Sequence, residues 1–257
     1  MDWIQTLILG MVEGLTEFLP ISSTAHLLIA GDILKISQTE FFKTFVIAVQ
    51  LGAILAVVFM YWRKILGNIN IAKKVLMAFI PTAIIGFLLY KIIKNFLFEN
   101  FTTIAWALIV GGIIILVFEF LENKKRETES EINLENISYK KSFIIGLIQA
   151  LAVIPGVSRS GATIIGGMAL GVSRKSIVEF SFLLAIPTIF AATGYDIISS
   201  PIELSSQNTT TLLLGSFFSF VFAWLSIKFL IKFIQKNSFK IFGYYRIVLG
   251  ACILLFL

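Results

Sequence analysis

The sequence contains one cysteine and one histidine, and only 14% of its residues are charged. Each shortage excludes something. The single thiol, Cys252, cannot close an intrachain disulfide and has no partners for a cysteine-rich metal site. It sits in an apolar segment and is expected to pack rather than react. Scarce charge excludes an ordinary soluble domain, which carries roughly a quarter charged residues. With 58% hydrophobic residues and a mean hydropathy of +0.93, the 257-residue chain has more apolar surface than a soluble core can hide. The net charge of +6 would suit a nucleic-acid binder, but Lys and Arg are scattered at the ends of apolar runs. That pattern fits orientation in a membrane, so membrane lipids and no nucleic acid are the expected surroundings. The first stretch does not resemble a secretory signal, because it opens on Asp2 and is interrupted by Glu13 and Glu17.

What is present is a series of long apolar runs. Six are near the roughly 20 residues needed to cross a bilayer. They are Phe42–Tyr61, Val75–Ile93, Thr102–Leu121, Ile177–Ile198, Thr211–Ile231 and Ile241–Leu257. Trp3, Tyr61, Trp62 and Tyr90 lie near expected ends, where amphipathic rings settle at headgroups.

Two further stretches, 1–34 and 142–170, are apolar at both ends and polar in the middle. The first breaks at Pro20-Ile-Ser-Ser-Thr24, the second at Pro155-Gly-Val-Ser-Arg-Ser-Gly161. Each arm is too short to cross about 30 Å of hydrocarbon, so each stretch is expected to be a re-entrant helical hairpin. Irregular backbone at that depth survives only when buried in protein or facing a wet cavity.

The two stretches match at an offset of 136 residues. Ile8 falls on Ile144, Gly10 on Gly146, Ser22 on Ser158, Gly31 on Gly167 and Ser37 on Ser173. Glu13 falls on Gln149 and Thr24 on Ser160. The expected fold is therefore an all-α polytopic membrane protein. It has six transmembrane helices and two re-entrant hairpins in an inverted-topology repeat within one membrane domain. Residues 1–121 form the first repeat, 122–141 a charged cytoplasmic link, and 142–257 the second repeat.

Three spans per half is an odd number, which inverts the second half. Arg63, Lys64, Lys73, Lys74, Lys124, Lys125, Arg126, Lys140, Lys141, Arg174, Lys175, Lys232, Lys236 and Lys240 then share one side. By the positive-inside rule that side is the cytoplasm. Lys35, Lys43, Lys91 and Lys94 fall on the other. Broken helices of such repeats bring their polar tips together near the midplane.

The tips carry chemistry. Glu13 and Glu17 lie one helical turn apart on one face. Two such carboxylates need a proton or a cation between them, and oxygen ligands suit Mg²⁺ or Ca²⁺. Ser22, Ser23 and Thr24 stand where a helix restarts, as do Ser158, Arg159 and Ser160. Hydroxyls there cap free N–H groups, and those same groups bind anions. Gly156 and Gly161 allow close backbone approach. Arg159 can fork onto phosphate oxygens, or form an ion pair with Glu13 or Glu17 that only joins the halves. His26 follows Ser23 by three residues. It could activate Ser23, act as the nucleophile itself, or serve as a general acid while water attacks. Together these groups favour a phosphate ester or anhydride carried on a lipid.

Glu13-Gly-Leu-Thr-Glu-Phe-Leu-Pro-Ile-Ser-Ser-Thr-Ala-His26 closely resembles the first signature of the bacterial undecaprenyl-pyrophosphate phosphatases, the bacitracin-resistance family. Pro155-Gly-Val-Ser-Arg-Ser-Gly-Ala-Thr163 is similar to their second signature. The resemblance implies release of the terminal phosphate from undecaprenyl diphosphate, recycling the carrier for cell-wall synthesis and conferring resistance to bacitracin. It also implies a divalent cation, the bacterial cytoplasmic membrane, a site opening to the outer face, and the possibility of a homodimer. In its terms Glu13 and Glu17 are the functional glutamates and cation ligands. Ser23 is the proposed nucleophile, His26 the essential histidine and Arg159 the phosphate-binding arginine, with Ser158 and Thr163 beside it. The alternative is a secondary transporter or flippase for an anion or lipid phosphate, since inverted repeats with broken helices are transporter architecture. The Glu-Glu-His-Ser cluster, which a mere binding site does not need, distinguishes the enzyme.

The orientation has a direct check. In a Cys252→Ser background, a cysteine placed at Ser206 is expected to react with an impermeant thiol reagent from outside. Labelling only from inside would reverse the topology.

Overall fold

The computed structural model describes residues 1–92, 100–122, 132–199 and 205–257. Ile93, Lys94, the link residues Lys124, Lys125 and Arg126, and most of the loop 199–207 lie outside these. Every regular element among the described residues is helical, and a lone bridge between Ile132 and Val172 is the sheet-like contact.

The first half comprises α1 (Trp3–Thr16), α2 (Ser23–Ile33), α3 (Glu40–Ala48), α4 (Gln50–Gly67), α5 (Ile69–Ile92) and α6 (Phe101–Glu122). The second comprises α7 (Tyr139–Gln149), α8 (Arg159–Ala169), α9 (Arg174–Ser199), α10 (Ser206–Ile234) and α11 (Lys240–Phe256). A 3₁₀ turn, Ala150–Val153, continues α7. Polar residues start several of the helices. Asp2 caps α1 in a reciprocal box with Gln5 (Gln5 N–H to Asp2 Oδ1, 2.7 Å). Thr39, Ser138 and Ser205 cap α3, α7 and α10.

Five rods are long and apolar enough to cross a membrane: α3–α4 (Glu40–Gly67, turning at Val49), α5, α6, α9 and α10. The chain is thus a multi-pass membrane protein. The sixth expected span, Ile241–Leu257, is α11, whose 17 residues make it shorter than those five. Pro81 and Pro187 lie inside α5 and α9 without ending them. Their neighbours can satisfy the backbone groups that a proline frees.

The offset of 136 residues reappears in the helices. α2 and α8 begin and end at matching positions, and α1 and α7 start at matching positions. Backbone φ is positive at Ser22 (72°) and Ser158 (70°), and at Lys35 (53°) and Gly171 (83°), two pairs with the same offset. Packing is exchanged between the halves: α1 lies against α10, and α7 against α5. Gly10 of α1 meets Gly215 of α10 so closely that a Cβ would stand 2.7 Å from the Gly215 carbonyl oxygen. Its counterpart Gly146 meets Ala78 on α5. α6 and α11 pair along their lengths.

The charged ends collect at one face of the bundle. Lys64 of α4 pairs with Glu179 of α9. Lys74 and Lys141 donate to the carbonyls of Glu135 and Leu170, each at 2.6 Å. Arg174 bridges Glu119 (2.7 Å) and Glu122 (2.8 Å). The other oxygen of Glu119 accepts the Phe239 N–H at 2.8 Å, so this buried carboxylate ties α6, α9 and the start of α11 together. Removing one partner from a buried pair costs about 3–5 kcal/mol. Glu119→Ala is therefore expected to lower the thermal midpoint in detergent by several degrees, and Glu119→Gln by less. An unchanged midpoint for Glu119→Ala would show that the lock carries no stability.

Candidate active site

The two breaks are the turns before α2 and α8, and they meet. Ser22 and Ser158 are the N-cap residues, with side-chain oxygens accepting from the N–H groups of Ala25 and Gly161. Ser160 of the second tip donates to the Leu19 carbonyl of the first at 2.7 Å. Arg246, in the middle of α11, fastens both. Its Nε donates to Leu108; Nη1 to Pro20 (3.2 Å) and Val157 (3.0 Å); Nη2 to Ala107 (3.0 Å) and Gly156 (2.9 Å). All five guanidinium N–H groups are thereby used on backbone carbonyls. Gly156 has φ +96°, and a Cβ there would stand 2.7 Å from the Ile104 carbonyl oxygen, so the second tip needs glycine to lie against α6.

The side chains meet as follows. Ser23 Oγ donates to Glu17 Oε2 in a very short hydrogen bond. Arg159 Nη2 donates to Glu17 Oε1 at 3.2 Å, and Nη1 to the Ser181 carbonyl at 2.9 Å. Its Nε is buried with no partner among the described residues, and its guanidinium lies over Phe18. Ser158 and Ser160 hydroxyls are 3.1 Å apart. Thr163 donates to Gln149 Oε1 at 3.2 Å, and Gln149 Nε2 donates to Thr82 and Thr188. Helix geometry leaves the first N–H groups of α2 and α8 without intrahelical acceptors, at Ser23, Thr24, Arg159 and Ser160.

A cavity of about 490 Å³ opens here. Its polar end is Glu17, Ser22, Ser23, Thr24, Gln149, Ser158 and Arg159; its walls are apolar faces of α5 and α9, including Phe79, Ala83, Phe87 and Ile189. Lys43, Tyr90 and Tyr195 line it towards the helix ends remote from the charged face. Glu13, His26, Ser160, Gly161 and Thr163 are not among the lining residues. The Gly161 N–H is already spent on its cap (3.1 Å), so it does not offer itself to a ligand. Ser160 and Thr163 support the tips from behind. His26 turns away: Nδ1 meets the Ser22 carbonyl and Nε2 the Tyr245 hydroxyl, each at 2.7 Å.

Glu13 is fully buried, and among the described residues no N–H or hydroxyl donor meets its carboxylate oxygens, while the Glu17 carboxyl lies within hydrogen-bonding reach. Its counterpart Gln149 is equally buried but fully engaged. Among the described residues no three His, Cys, Asp or Glu side chains cluster as a ready metal site. The close carboxyls of Glu13 and Glu17 still fit a hard cation that takes one or two carboxylates and completes its shell with water or phosphate oxygens.

Two residues here escape a sequence reading. Arg246 and Tyr245 sit inside an apolar run that passes for a plain span. The available signal is that an arginine at bilayer depth is costly and usually has a job.

The chain resembles known proteins along its whole length. The family model described as Bacitracin resistance protein BacA matches residues 6–252. An undecaprenyl-diphosphatase of Wolinella succinogenes is 49% identical, covering 100% of this chain and 99% of that one. Undecaprenyl-diphosphatases of Persephonella marina (50% identical, covering 100% and 99%) and Aquifex aeolicus (48%, covering 97% and 96%) are similar to it as well.

A buried carboxyl set against a second carboxyl is an expense to the fold. Glu13→Gln is expected to unfold at the same or a slightly higher temperature than wild type. A fall of more than about 5 °C, equivalent to over 1 kcal/mol for a chain this size, would show that the Glu13 carboxyl stabilises the fold rather than costing it.

Proposed function

The chain belongs to the bacitracin resistance protein family, and on that premise we propose that it hydrolyses undecaprenyl diphosphate to undecaprenyl phosphate and inorganic phosphate. This recycles the lipid carrier for cell-wall synthesis and removes the diphosphate that bacitracin sequesters. The observation that carries the reading is the buried contact of Arg159, Glu17 and Ser23 at the polar end of an apolar-walled cavity. That combination suits a diphosphate head on a hydrocarbon tail.

In this reading Arg159 swings from Glu17 onto the terminal phosphate, with Ser158 and Thr24 beside it. The first N–H groups of α2 and α8 add partial positive charge. Ser23 Oγ attacks the terminal phosphorus while Glu17 takes its proton. The bond from that phosphorus to the bridging oxygen breaks, and the undecaprenyl phosphate leaves. Glu17 passes that proton to the leaving undecaprenyl phosphate; water then attacks the phosphoserine and gives a proton to the freed Glu17 carboxylate, which hands it to Ser23 Oγ as inorganic phosphate departs. Glu13 and Glu17 would hold a divalent cation, Mg²⁺ or Ca²⁺, which when bound neutralises charge on the phosphate oxygens. Ser160, Gly161 and Thr163 set the tips rather than touch substrate, while Ser22 both caps α2 and lines the cavity.

The wider architecture goes with this. Residues 1–121 and 142–257 form an inverted repeat whose hairpins, 1–34 and 142–170, enter from opposite faces, with α11 as a sixth span. Matching helix bounds, matching positive-φ residues and exchanged packing support it. The charged face lies in the cytoplasm of a bacterial cell, and the cavity opens outward near Lys43, Tyr90 and Tyr195.

The test is phosphate release from a polyprenyl diphosphate by purified protein in detergent with Mg²⁺ or Ca²⁺. Arg159→Ala and Ser23→Ala are each expected to lose about a hundredfold or more, and a quenched reaction should yield phosphoserine at Ser23. Absence of release, with Arg159→Ala indistinguishable from wild type, would sink the enzyme reading. Release without phosphoserine, undiminished in Ser23→Ala, would transfer the attack to water.

A further inference from the structure

His26 is the sole histidine, stands three residues after Ser23, and invites the role of base. Its contacts point elsewhere. A carbonyl oxygen only accepts, so the 2.7 Å contact with Ser22 puts the ring proton on Nδ1. In the neutral ring Nε2 then holds the lone pair, and it accepts the Tyr245 O–H at 2.7 Å. The two rings lie parallel within 5°, their centroids 5.6 Å apart. Both nitrogens are occupied, the imidazole does not line the cavity, and the Ser23 proton already points at Glu17.

What the imidazole does touch is strained. Ser22 has φ 72° and ψ 92°, a conformation that a residue with a Cβ rarely adopts and keeps only when its surroundings insist. Its carbonyl receives both the backbone N–H of His26 (3.3 Å) and the imidazole. Tyr245 precedes Arg246, which holds the Pro20 carbonyl on the other side of the same turn. Two adjacent residues of α11 thus grip both ends of the turn that delivers Ser23.

The second tip supplies a contrast. Ser158 is equally strained, at φ 70°, but the residue at the His26 position there is Ala162, and among the described residues the Ser158 carbonyl accepts only its backbone N–H (2.9 Å). The imidazole brace belongs to the tip that carries the Ser23–Glu17 pair.

We propose that His26 is a positioning residue. The relay from the Tyr245 hydroxyl through the imidazole to the Ser22 carbonyl locks the first tip so that Ser23 Oγ stays on Glu17, with Tyr245 as its outer anchor. This deepens the phosphatase reading and rests on it for the kinetic part of the test.

An asparagine can keep the donation to the Ser22 carbonyl but cannot move a proton. His26→Asn is therefore expected to retain kcat within about tenfold of wild type while His26→Ala loses about a hundredfold. Tyr245→Phe should lower kcat about three- to tenfold with little change in KM, and His26→Asn/Tyr245→Phe should be no worse than the poorer single variant. His26→Asn activity below about 1% of wild type, in protein that remains monodisperse, would overturn the proposal whatever becomes of His26→Ala. Hydrogen exchange supplies a readout independent of catalysis. Tyr245→Phe and His26→Asn/Tyr245→Phe should exchange faster across 17–25 and unchanged across 153–161. Unchanged exchange in both segments overturns the brace even if no substrate is turned over. Failure of wild type alone to release phosphate counts against the phosphatase reading.

Discussion

Arg246 gives every one of its five N–H groups to a backbone carbonyl. One of those carbonyls belongs to the first tip, two to the second, and two to α6, which lies between them and α11. An irregular turn inside a bilayer exposes backbone oxygens that water cannot reach, and each unsatisfied group costs several kcal/mol. A helix satisfies its own oxygens; these turns cannot. A single guanidinium answers the need of both turns at once and in doing so fixes their distance. The ion pair between Arg159 and Glu17, the Ser160 bond to Leu19 and the shape of the cavity all follow from tips held at that separation.

Given two tips of common backbone form, side chains divide the labour. At corresponding positions the first tip has Ser23 and the second Arg159; the first has Glu13 and the second Gln149; the first has His26 and the second Ala162. One tip has gathered hydroxyl, carboxylates and a brace. The other has the cation that neutralises them and can turn towards an anion. Gln149 shows what the Glu13 position looks like when it serves only packing, with its amide fully engaged by three threonines. Glu13 in the same surroundings meets no N–H or hydroxyl donor among the described residues and has the Glu17 carboxyl beside it. Its cost to the fold has a reason only if something arrives beside it.

Much of this was visible in the residues. Long apolar runs specify rods because a bilayer leaves the backbone no alternative, and five of them lie in helical rods long enough to cross one. Pro20 and Pro155 mark the breaks, and the offset of 136 residues between Ser22 and Ser158 marks their kinship. What stayed hidden depends on direction. Spacing puts His26 near Ser23 but does not say that the imidazole faces Tyr245, since a residue 219 positions away decides it. Gly161 suggested an open backbone, yet its N–H closes its own cap. Arg246 escapes a hydropathy average because one charge in the seventeen residues Ile241–Leu257 hardly alters it, although it is the residue that an average should not absorb.

The central claim is that one guanidinium makes two turns into one site. Replacing it by a side chain of similar length without donors, Arg246→Met, tests this most directly, read as phosphate release from a polyprenyl diphosphate. Loss of register between tips by about 1 Å is worth roughly a hundredfold in rate, so the variant is expected to retain about 1% of wild-type activity or less. Activity within a few-fold of wild type would contradict the account, since the tips would then find each other without the residue said to join them.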